Sequence, residues 1–498
     1  MIVDNDLLSV QQARILAENA QAAQRVLSAL PQERLDAMVE AMAAAVEEHA
    51  QSLALMSHEE TGYGRWQDKL TKNLFACRRI PEQLRNMRCV GVTGLDHANR
   101  IVEVGVPVGV IAVLCPSTSP VSTTINAALI AIKSGNAMVV SPHPHAVRSI
   151  ARVMDIMAGA AVTHGLPEGS LGYLRTVAAS GTRELLHHPA VSLVLISGVP
   201  GMLRAAQEAG KPLIYGDTGN GPAFIERSAD IRQAVANIIR SKTFDHGIAP
   251  SAEQSVVVDS CVAERVRQAL CEQGAYFLSG DEMARLGELL FCIDGRHRAG
   301  MVGVSADALA RRAGFAVPDG TRVLVAERNH VSGEDPYSRE LLCPVLALYI
   351  EDDWQGACEK CIELLLHERK SHTLVIHSTD DAVIRQFVLK KPVARVLVNA
   401  PASLGGMGAA TDLFPSLILG SGSVGSGITA DNVSPRNLTY TRKVGYGQLG
   451  CFDQLSSVCT TPSPVGGGDT HKHPQHIIHD LHRVLMEAIK VMDDPADR

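Results

Sequence analysis

The sequence predicts an α/β protein whose parallel sheets are covered by helices on both faces. Short unbroken apolar runs alternate with helical segments over most of the 498 residues. The run VGVIAVLCP precedes the segment STTINAALIAIKSG, and VSLVLISG precedes VPGMLRAAQEAG. A strand buried on both faces reads as a continuous apolar run, because helices cover each side of its sheet. A chain of this length is expected to hold two or three domains.

The elements follow in order along the chain. Residues 8–56 carry apolar residues at three- and four-residue spacing, which predicts helices, with Pro31 suited to a first turn. The strand AMVV precedes the helical segment AVRSIARVMDIMAGAAV. A second alternating series begins at AFIER and continues through SVVVD, RVLVAE, PVLALYI, SHTLVIHS and ARVLVNA. These runs supply enough strands for a second α/β domain.

Composition and charge exclude several classes of function. The net charge is −7, aromatic residues make up 4%, and no dense Lys/Arg run occurs, so we expect no nucleic-acid partner. The N-terminus lacks a basic region followed by an apolar core, and VEVGVPVGVIAVLCP is too short to span a bilayer. We therefore expect no membrane partner. Eleven cysteines without regular spacing indicate reduced thiols and a cytoplasmic location.

Two strand ends are candidate cofactor sites. In SPHPHA, the residues Ser141, His143 and Pro144 follow one strand and precede a helix whose N-terminus could receive a phosphate or ribose. The alternative interpretation is a proline-stiffened connection. The second strand end carries Ser197 and the small residues Gly198 and Gly201, which allow close approach to the backbone, although the G-x-G-x-x-G pattern is absent.

Metal binding is not predicted. CEKC (Cys358 to Cys361) has no second pair at ligand spacing and lies in a helical segment, so its thiols are interpreted as helix-face residues. The histidines of DTHKHPQHIIHDLH are interpreted as a solvated polar face.

Several ordered strings resemble the CoA-acylating branch of the aldehyde dehydrogenase superfamily. They include EETGYGRWQDKLTKNLFA, VEVGVPVGVIAVLCPSTSP, SKTFDHGIAPSAEQSVVV and LVNAPASLGGMG, and the resemblance covers about residues 5–446. It is greatest to the acetaldehyde and propionaldehyde dehydrogenases of bacterial microcompartments and to the aldehyde dehydrogenase half of the bifunctional aldehyde-alcohol dehydrogenase. It implies that an aldehyde, NAD and CoA give acyl-CoA and NADH through a thioester on a cysteine, a thiolate being a good nucleophile and leaving group.

The resemblance implies an aldehyde dehydrogenase fold with two doubly wound α/β domains and a β oligomerisation arm, in a dimer or tetramer. Residues 1–223 are expected to form the cofactor-binding domain, including part of the arm near 98–107, and residues 224–416 the catalytic domain. The expected remainder is a C-terminal arm at 417–446, a flexible linker at 447–475 and an amphipathic helix at 476–493.

The sequence departs from the family pattern at the chemical positions. The loop FDHGIAPSAEQ places Pro250 where the family has its cysteine, and proline can neither attack a carbonyl nor donate a proton. Ser119 stands where an asparagine amide binds the oxyanion, and losing one such donor typically costs about 2.7–4 kcal/mol. The turn Ser371-His372-Thr373 and Ser421 are milder changes. The resemblance retains Glu253 after the nucleophile position and Glu340 for the nicotinamide ribose.

Three other side chains are weighed as replacement nucleophiles. Cys343 lies three residues after Glu340, and Cys115 precedes the PSTSP turn, but each is better explained as a buried small apolar residue. Ser251 has no evident base to activate it.

The segment 476–493 resembles an encapsulation peptide. Its apolar residues share one helix face and need a partner, either a microcompartment shell or paralogous enzyme, or the body of its own subunit. These residues are Ile477, Ile478, Leu481, Leu485, Ala488, Ile489 and Met492.

Three functions are thus open. The chain is an acylating aldehyde dehydrogenase with absent or very weak activity, a non-catalytic member of that family, or a scaffold of a microcompartment. The sequence does not identify the aldehyde, nor does it distinguish NAD from NADP.

Overall fold

The computed structural model describes residues 4–447, except 99, 217–218, 293–294, 369–371 and 390. The described chain forms two compact units. The larger comprises the chain up to Gly91 and from Gly105 to Tyr440, and the smaller comprises Val92–Val104 and the chain from Thr441 onward. The predicted helix at 476–493, Ser371, and the predicted linker beyond residue 447 lie outside the described residues.

Helices and strands alternate through the larger unit. The helices are α1 Asn5–Leu27, α2 Gln32–Glu48, α3 Ala50–Thr61, α4 Trp66–Leu84, α5 Pro120–Lys133, α6 Val147–Val162, α7 Ala179–His187, α8 Leu203–Glu208, α9 Ile231–Thr243, α10 Ala263–Glu272, α11 Gly280–Leu290, α12 Ala306–Arg312, α13 Trp354–His367, α14 Asp381–Val388 and α15 Ala402–Gly406. The strands are β1 Gly91–Asp96, β2 Ile101–Pro107, β3 Val110–Leu114, β4 Ala137–Ser141, β5 Leu171–Tyr173, β6 Val191–Ser197, β7 Leu213–Gly216, β8 Pro222–Ile225, β9 Ser255–Asp259, β10 Ala275–Phe277, β11 Val323–Glu327, β12 Val345–Glu351, β13 Thr373–His377, β14 Arg395–Val398 and β15 Thr439–Gly445.

The first sheet has five strands in the order β5-β4-β3-β6-β7, all parallel. Every residue of β3 and β4 is buried, because helices cover both faces of the sheet. The chain leaves β3 first toward β4 and later resumes at β6 on the other side. This reversal beside β3 creates a crevice at the carboxyl ends of the strands, where open α/β sheets bind ligands.

The second sheet has seven strands in the order β10-β11-β12-β9-β8-β13-β14, again all parallel. Its first strand in the chain, β8, begins at Pro222 and so spans the expected domain boundary at 223/224. Strands β8, β9 and β13 are fully buried. The two parallel, helix-covered sheets confirm the predicted α/β fold class.

The smaller unit is built on a three-stranded sheet in the order β1-β2-β15. Strands β1 and β15 are its two edges, and most of their residues are exposed to solvent. Of the residues expected to form the C-terminal arm, those up to Tyr440 belong to the larger unit. Within the part of the chain that the structure describes, no helix has both the length and the hydrophobicity required to cross a bilayer.

Candidate active-site cavity

A cavity of about 40 Å³ brings together three of the predicted site residues, Ser119, Ser197 and Pro250. They come from the N-terminus of α5, the end of β6 and the loop after α9. The other residues that line the cavity are Lys72, Pro116, Thr118, Thr123, Phe244, Ala249, Ser251, Ser403, Met407, Ser416, Leu417 and Leu419.

The loop that carries Pro250 begins with an unusual backbone conformation. Asp245 and His246 have φ values of 51° and 52°, and Gly247 follows at 76°. Side chains with a β-carbon rarely adopt this left-handed conformation, so other contacts must hold the loop in place. The backbone N–H of Arg65 donates to Asp245 Oδ1 (2.6 Å), and the N–H of Asp245 donates to Asp68 Oδ2 (2.9 Å).

Asp245 is the centre of a buried ion cluster. Its Oδ2 lies 2.5 Å from Lys72 Nζ and 3.3 Å from Lys69 Nζ, and all three side chains are at most 4% exposed. Burial alone would raise the pKa of Asp245, but the two ammonium groups hold it below its ordinary value. Burial lowers the pKa of Lys69 to about 8, against the attraction of Asp245. The loop is therefore held by charge as well as by backbone bonds.

Ser119, the predicted oxyanion residue, is tied to the same cluster. It is the N-cap residue of α5, but its hydroxyl makes no capping hydrogen bond. Instead, Lys72 Nζ donates to Ser119 Oγ over 2.7 Å. Because the oxygen accepts from an ammonium group, the serine O–H remains as a donor.

Glu253 does not line the cavity. Its side chain is buried behind the loop, where Oε1 accepts from the backbone N–H of Ala402 (2.9 Å). Burial raises the pKa of Glu253 to about 7, although hydrogen bonds from Ser241 and Ala402 favour the charged form. The pKa of this carboxyl group is thus near neutrality, and Glu253 is not among the residues that line the cavity.

The lysine of the SKTFD string is also buried behind the loop. Lys242 Nζ donates to Gln254 Oε1 (2.7 Å) and to the carbonyl oxygen of Leu341 (2.9 Å). Burial lowers the pKa of Lys242 to about 8, and nearby Cys343 and Glu253 act in the opposite direction.

The candidate replacement nucleophiles are poorly placed. Burial raises the pKa of Cys343 to about 12, so its thiolate is scarce. Cys115 is fully buried and accepts a hydrogen bond from Thr124 Oγ1 (3.4 Å). None of the described cysteines lines the cavity. Ser251 does line it, but its hydroxyl donates to the carbonyl oxygen of Ser403 (3.4 Å) rather than to a base.

His372 and Gly219 pack against the back of Pro250. A β-carbon at Gly219 would lie 2.4 Å from the Pro250 carbonyl oxygen and 2.9 Å from His372 Nε2. Burial lowers the pKa of His372 to about 3, helped by the charge of Arg395. His372 is therefore neutral at physiological pH.

The predicted cofactor residues at the end of β4 lie at the same edge of the first sheet as the end of β6, but they do not line the cavity. Ser141 is paired with Leu114 of β3, which is paired in turn with Ile196 of β6, so Ser141 and the end of β6 are two strands apart. At normal strand spacing that separation is about 10 Å. Ser141 Oγ is hydrogen-bonded to Thr182 Oγ1 (2.8 Å).

The helix after β4 is already capped by a carboxylate. Glu60 accepts from the backbone N–H groups of Arg148 and Ser149, each over 2.7 Å. The N-terminus of α6, where the sequence predicts a phosphate or ribose, thus satisfies two of its N–H groups internally. His143 Nδ1 accepts from the N–H of His145 (3.2 Å), while Pro144 is exposed. Burial lowers the pKa of His143, and His145 adds to the effect.

The end of β6 leaves more room. Gly198 has a φ of 59°, and its N–H donates to the carbonyl oxygen of Gly216 (3.0 Å). No atom lies within 4 Å of the position that a β-carbon would take at exposed Gly201. These residues can accommodate a cofactor close to the backbone. Glu340 does not line the cavity; its Oε1 accepts from the N–H of Gly219 (2.9 Å), which packs behind Pro250.

No metal centre is formed by the described side chains, since no group of three or more His, Cys, Asp or Glu residues among them is arranged to hold an ion. Cys358 and Cys361 both lie on α13, as the sequence predicts, and Lys391 Nζ contacts Cys358 Sγ.

Two parallel, helix-covered sheets with a cavity at strand and helix ends define a doubly wound α/β protein. The chain belongs to the aldehyde dehydrogenase family, whose model matches residues 2–327. This establishes the family suggested by the ordered strings.

Known relatives agree with this assignment. The chain is 36% identical to the bifunctional aldehyde-alcohol dehydrogenase of Escherichia coli K12 over 444 residues, which are 88% of this chain and 49% of that protein. The chain thus spans about half the length of the curated relative it matches.

Solved structures of similar proteins cover the chain more fully. A "probable aldehyde dehydrogenase" of Listeria monocytogenes EGD-e is 44% identical, with a TM-score of 0.89 over 91% of this chain and 100% of that chain. An acetylating aldehyde dehydrogenase of Geobacillus thermoglucosidasius is 39% identical, with a TM-score of 0.87 over 90% and 99%. A propionaldehyde dehydrogenase from the Clostridium phytofermentans fucose utilisation microcompartment is 26% identical, with a TM-score of 0.78 over 86% and 96%.

Sequence reasoning missed four residues of this site: Lys69, Lys72, Asp245 and Ser403. One signal was available, since two lysines three residues apart lie on one face of α4. Their burial against Asp245, which lies 176 residues after Lys69, could not be inferred from spacing alone.

Proposed function

We propose that this chain is a member of the CoA-acylating type of aldehyde dehydrogenase in which the covalent route is blocked. The reaction of that type takes an aldehyde, NAD and CoA to acyl-CoA and NADH. Here we expect acylating activity to be absent or very weak. The open space at Gly201 leaves room for a nucleotide, so cofactor binding is compatible with the proposal.

A single observation carries this proposal: Pro250 lines the cavity, and none of the described cysteines does. A thioester route requires a sulfur that attacks the carbonyl and later leaves. The pyrrolidine ring has no such atom. Ser251, the adjacent hydroxyl, points to the Ser403 carbonyl and has no base to activate it.

The direct test is an activity assay. The full-length protein is incubated with acetaldehyde or propionaldehyde, NAD and CoA, and NADH absorbance is followed. We expect no rate above that of the protein-free control. Turnover comparable to that of an ordinary dehydrogenase would overturn the proposal.

A thiol restored at position 250 tests the cavity itself. We expect Pro250→Cys to form an acyl-enzyme with acetyl-CoA, detected as a mass increase of the intact protein. Ser251→Cys is the matched control, because it places a thiol one residue away. If neither variant is acylated, or both are acylated equally, Pro250 does not occupy the nucleophile position.

A second candidate function is a non-catalytic or scaffold protein of a microcompartment. It is favoured by the apolar residues at helical spacing in the sequence 476–493 and by the microcompartment origin of the Clostridium phytofermentans relative. Deleting residues 476–498 should then abolish co-localisation with shell proteins in cells. If the truncated protein still enters the compartment, the tail is not its targeting signal.

A further inference from the structure

The cavity wall carries polar groups that the proposed function does not use. Lys72 Nζ belongs to a side chain that is only 4% exposed, yet Lys72 lines the cavity. Ser403 lines it as well, and its buried hydroxyl has no hydrogen-bond partner within the described structure. Buried polar groups are nearly always paired, so an unpaired one facing a cavity indicates a polar occupant.

The charges around the cavity do not cancel. Lys72 is the charged residue among those that line the cavity, and it shares its counter-ion Asp245 with Lys69. The three groups at the centre, Lys69, Lys72 and Asp245, are buried and carry a net charge of +1. An uncompensated buried charge is costly, and an anion in the adjacent cavity would relieve that cost.

Hydrogen-bond donors also point to an anion. The oxygen of Ser119 accepts from Lys72 Nζ, which leaves the serine O–H to donate. Its oxygen makes no capping bond to α5 and is engaged by Lys72 instead. Ser119, Lys72 and Ser403 together offer one ammonium group and two hydroxyls to this occupant.

The size of the cavity limits the anion. One water needs about 10–15 Å³ by this measure, so a volume of about 40 Å³ holds roughly three such spheres. A carboxylate ion with two or three carbons in total is of about that size. Phe244, Met407, Leu417 and Leu419 supply apolar wall for a methyl or ethyl group.

We propose that this cavity binds a short-chain carboxylate, acetate or propionate, with the oxygens on Lys72, Ser119 and Ser403. The proposal uses the same cavity as the proposed function, but it needs no turnover and no thiol. Appearance of NADH in the activity assay would therefore sink the proposed function and leave carboxylate binding intact.

The test is calorimetric titration of the full-length protein with sodium acetate and sodium propionate. Acetamide, which has the same shape without the charge, is the matched neutral probe, and hexanoate is the oversized one. We expect acetate and propionate to bind at least about tenfold more tightly than acetamide, because charge-assisted hydrogen bonds are the stronger kind. Equal binding of acetate and acetamide, binding of hexanoate as tight as that of acetate, or no binding of either carboxylate would overturn the proposal.

Variants locate the site. Lys72→Met should weaken acetate binding by about tenfold or more, and Ser403→Ala by about fivefold. Ser255→Ala is the control, since Ser255 also has a buried unpaired hydroxyl but does not line the cavity. If Lys72→Met fails to fold, the acetate affinities of Ser403→Ala and Ser255→Ala are compared instead. Acetate binding unchanged in Ser403→Ala would refute the site.

Discussion

At the scale of single residues, Asp245 has the most demanding position. It is fully buried, has a left-handed backbone and is the counter-ion of two buried lysines. Removing one partner of a buried ion pair leaves an uncompensated charge, which costs more than the pair itself contributes. The stability of the Pro250 loop therefore depends on a residue five positions earlier.

Asp245→Asn tests this dependence. We expect the free energy of unfolding to fall by about 3–5 kcal/mol, measured by urea denaturation. Asp281→Asn is the control, because Asp281 is 90% exposed and lies 3.7 Å from Arg285. That exposed change should stay within about 0.5 kcal/mol. Similar losses in both variants would show that Asp245 does not compensate the lysines.

Glu253 makes stability depend on pH. Its folded pKa of about 7 lies above the ordinary 4.5, so the folded state binds the proton more tightly. Its contribution to stability is then fully present below pH 4.5 and is lost as the pH rises through 7. Relative to Glu253→Gln, the wild type should lose about 3 kcal/mol across this window, measured by denaturation at several pH values. A difference that stays constant with pH would rule out this titration.

At the scale of elements, the loop after α9 packs against the segments that precede β8 and β13. Gly219 precedes β8 and leaves no room for a methyl group next to the Pro250 carbonyl. Gly219→Ala should lower the free energy of unfolding by about 1–3 kcal/mol through overpacking, measured by thermal or urea unfolding. Gly201→Ala, where the space is open, should change it little. If Gly219→Ala changes the free energy of unfolding as little as Gly201→Ala does, the loop can move to accommodate the methyl group.

The sequence was most informative about the strands. The long apolar runs of β3, β6, β9 and β12 could be predicted because parallel strands are buried on both faces. Three-residue strands such as β5 and β10 are too short to show a periodic pattern. The contact of Glu60 with the start of α6 joins positions 88 residues apart, and no local pattern reveals such a pairing.

Only those site residues that lie within recognisable family strings could be predicted from the sequence. Pro250 and Ser119 were found by resemblance to family strings, and the structure places both on one cavity. Lys72 reaches the cavity from a helix 178 positions before Pro250. Its role depends on tertiary packing, which composition and spacing do not encode.

At the scale of the whole molecule, the three-stranded sheet of the smaller unit has two exposed edges. Strand β15 is mostly exposed, and Tyr440 at its start is 51% exposed. An exposed edge strand offers unpaired backbone groups to another chain. We expect this sheet to mediate homo-oligomerisation, as a dimer or tetramer.

A substitution at the edge tests that expectation. Tyr440→Glu should reduce the mass of the particle in light scattering coupled to gel filtration, because it replaces the exposed aromatic ring on β15 with a charge. Ile428→Glu is a control of equal charge at another exposed apolar residue, 65% exposed and outside β15. An unchanged mass in Tyr440→Glu would argue against the edge as an interface.

Proline at position 250 has a second effect on the cavity, apart from its side chain. Any other residue at this lining position would carry a main-chain amide hydrogen, and proline carries none. Pro250→Ala would restore that amide without a sulfur, whereas Pro250→Cys restores both. The difference in affinity for a carbonyl ligand between Pro250→Ala and Pro250→Cys would separate the contribution of the amide from that of the sulfur.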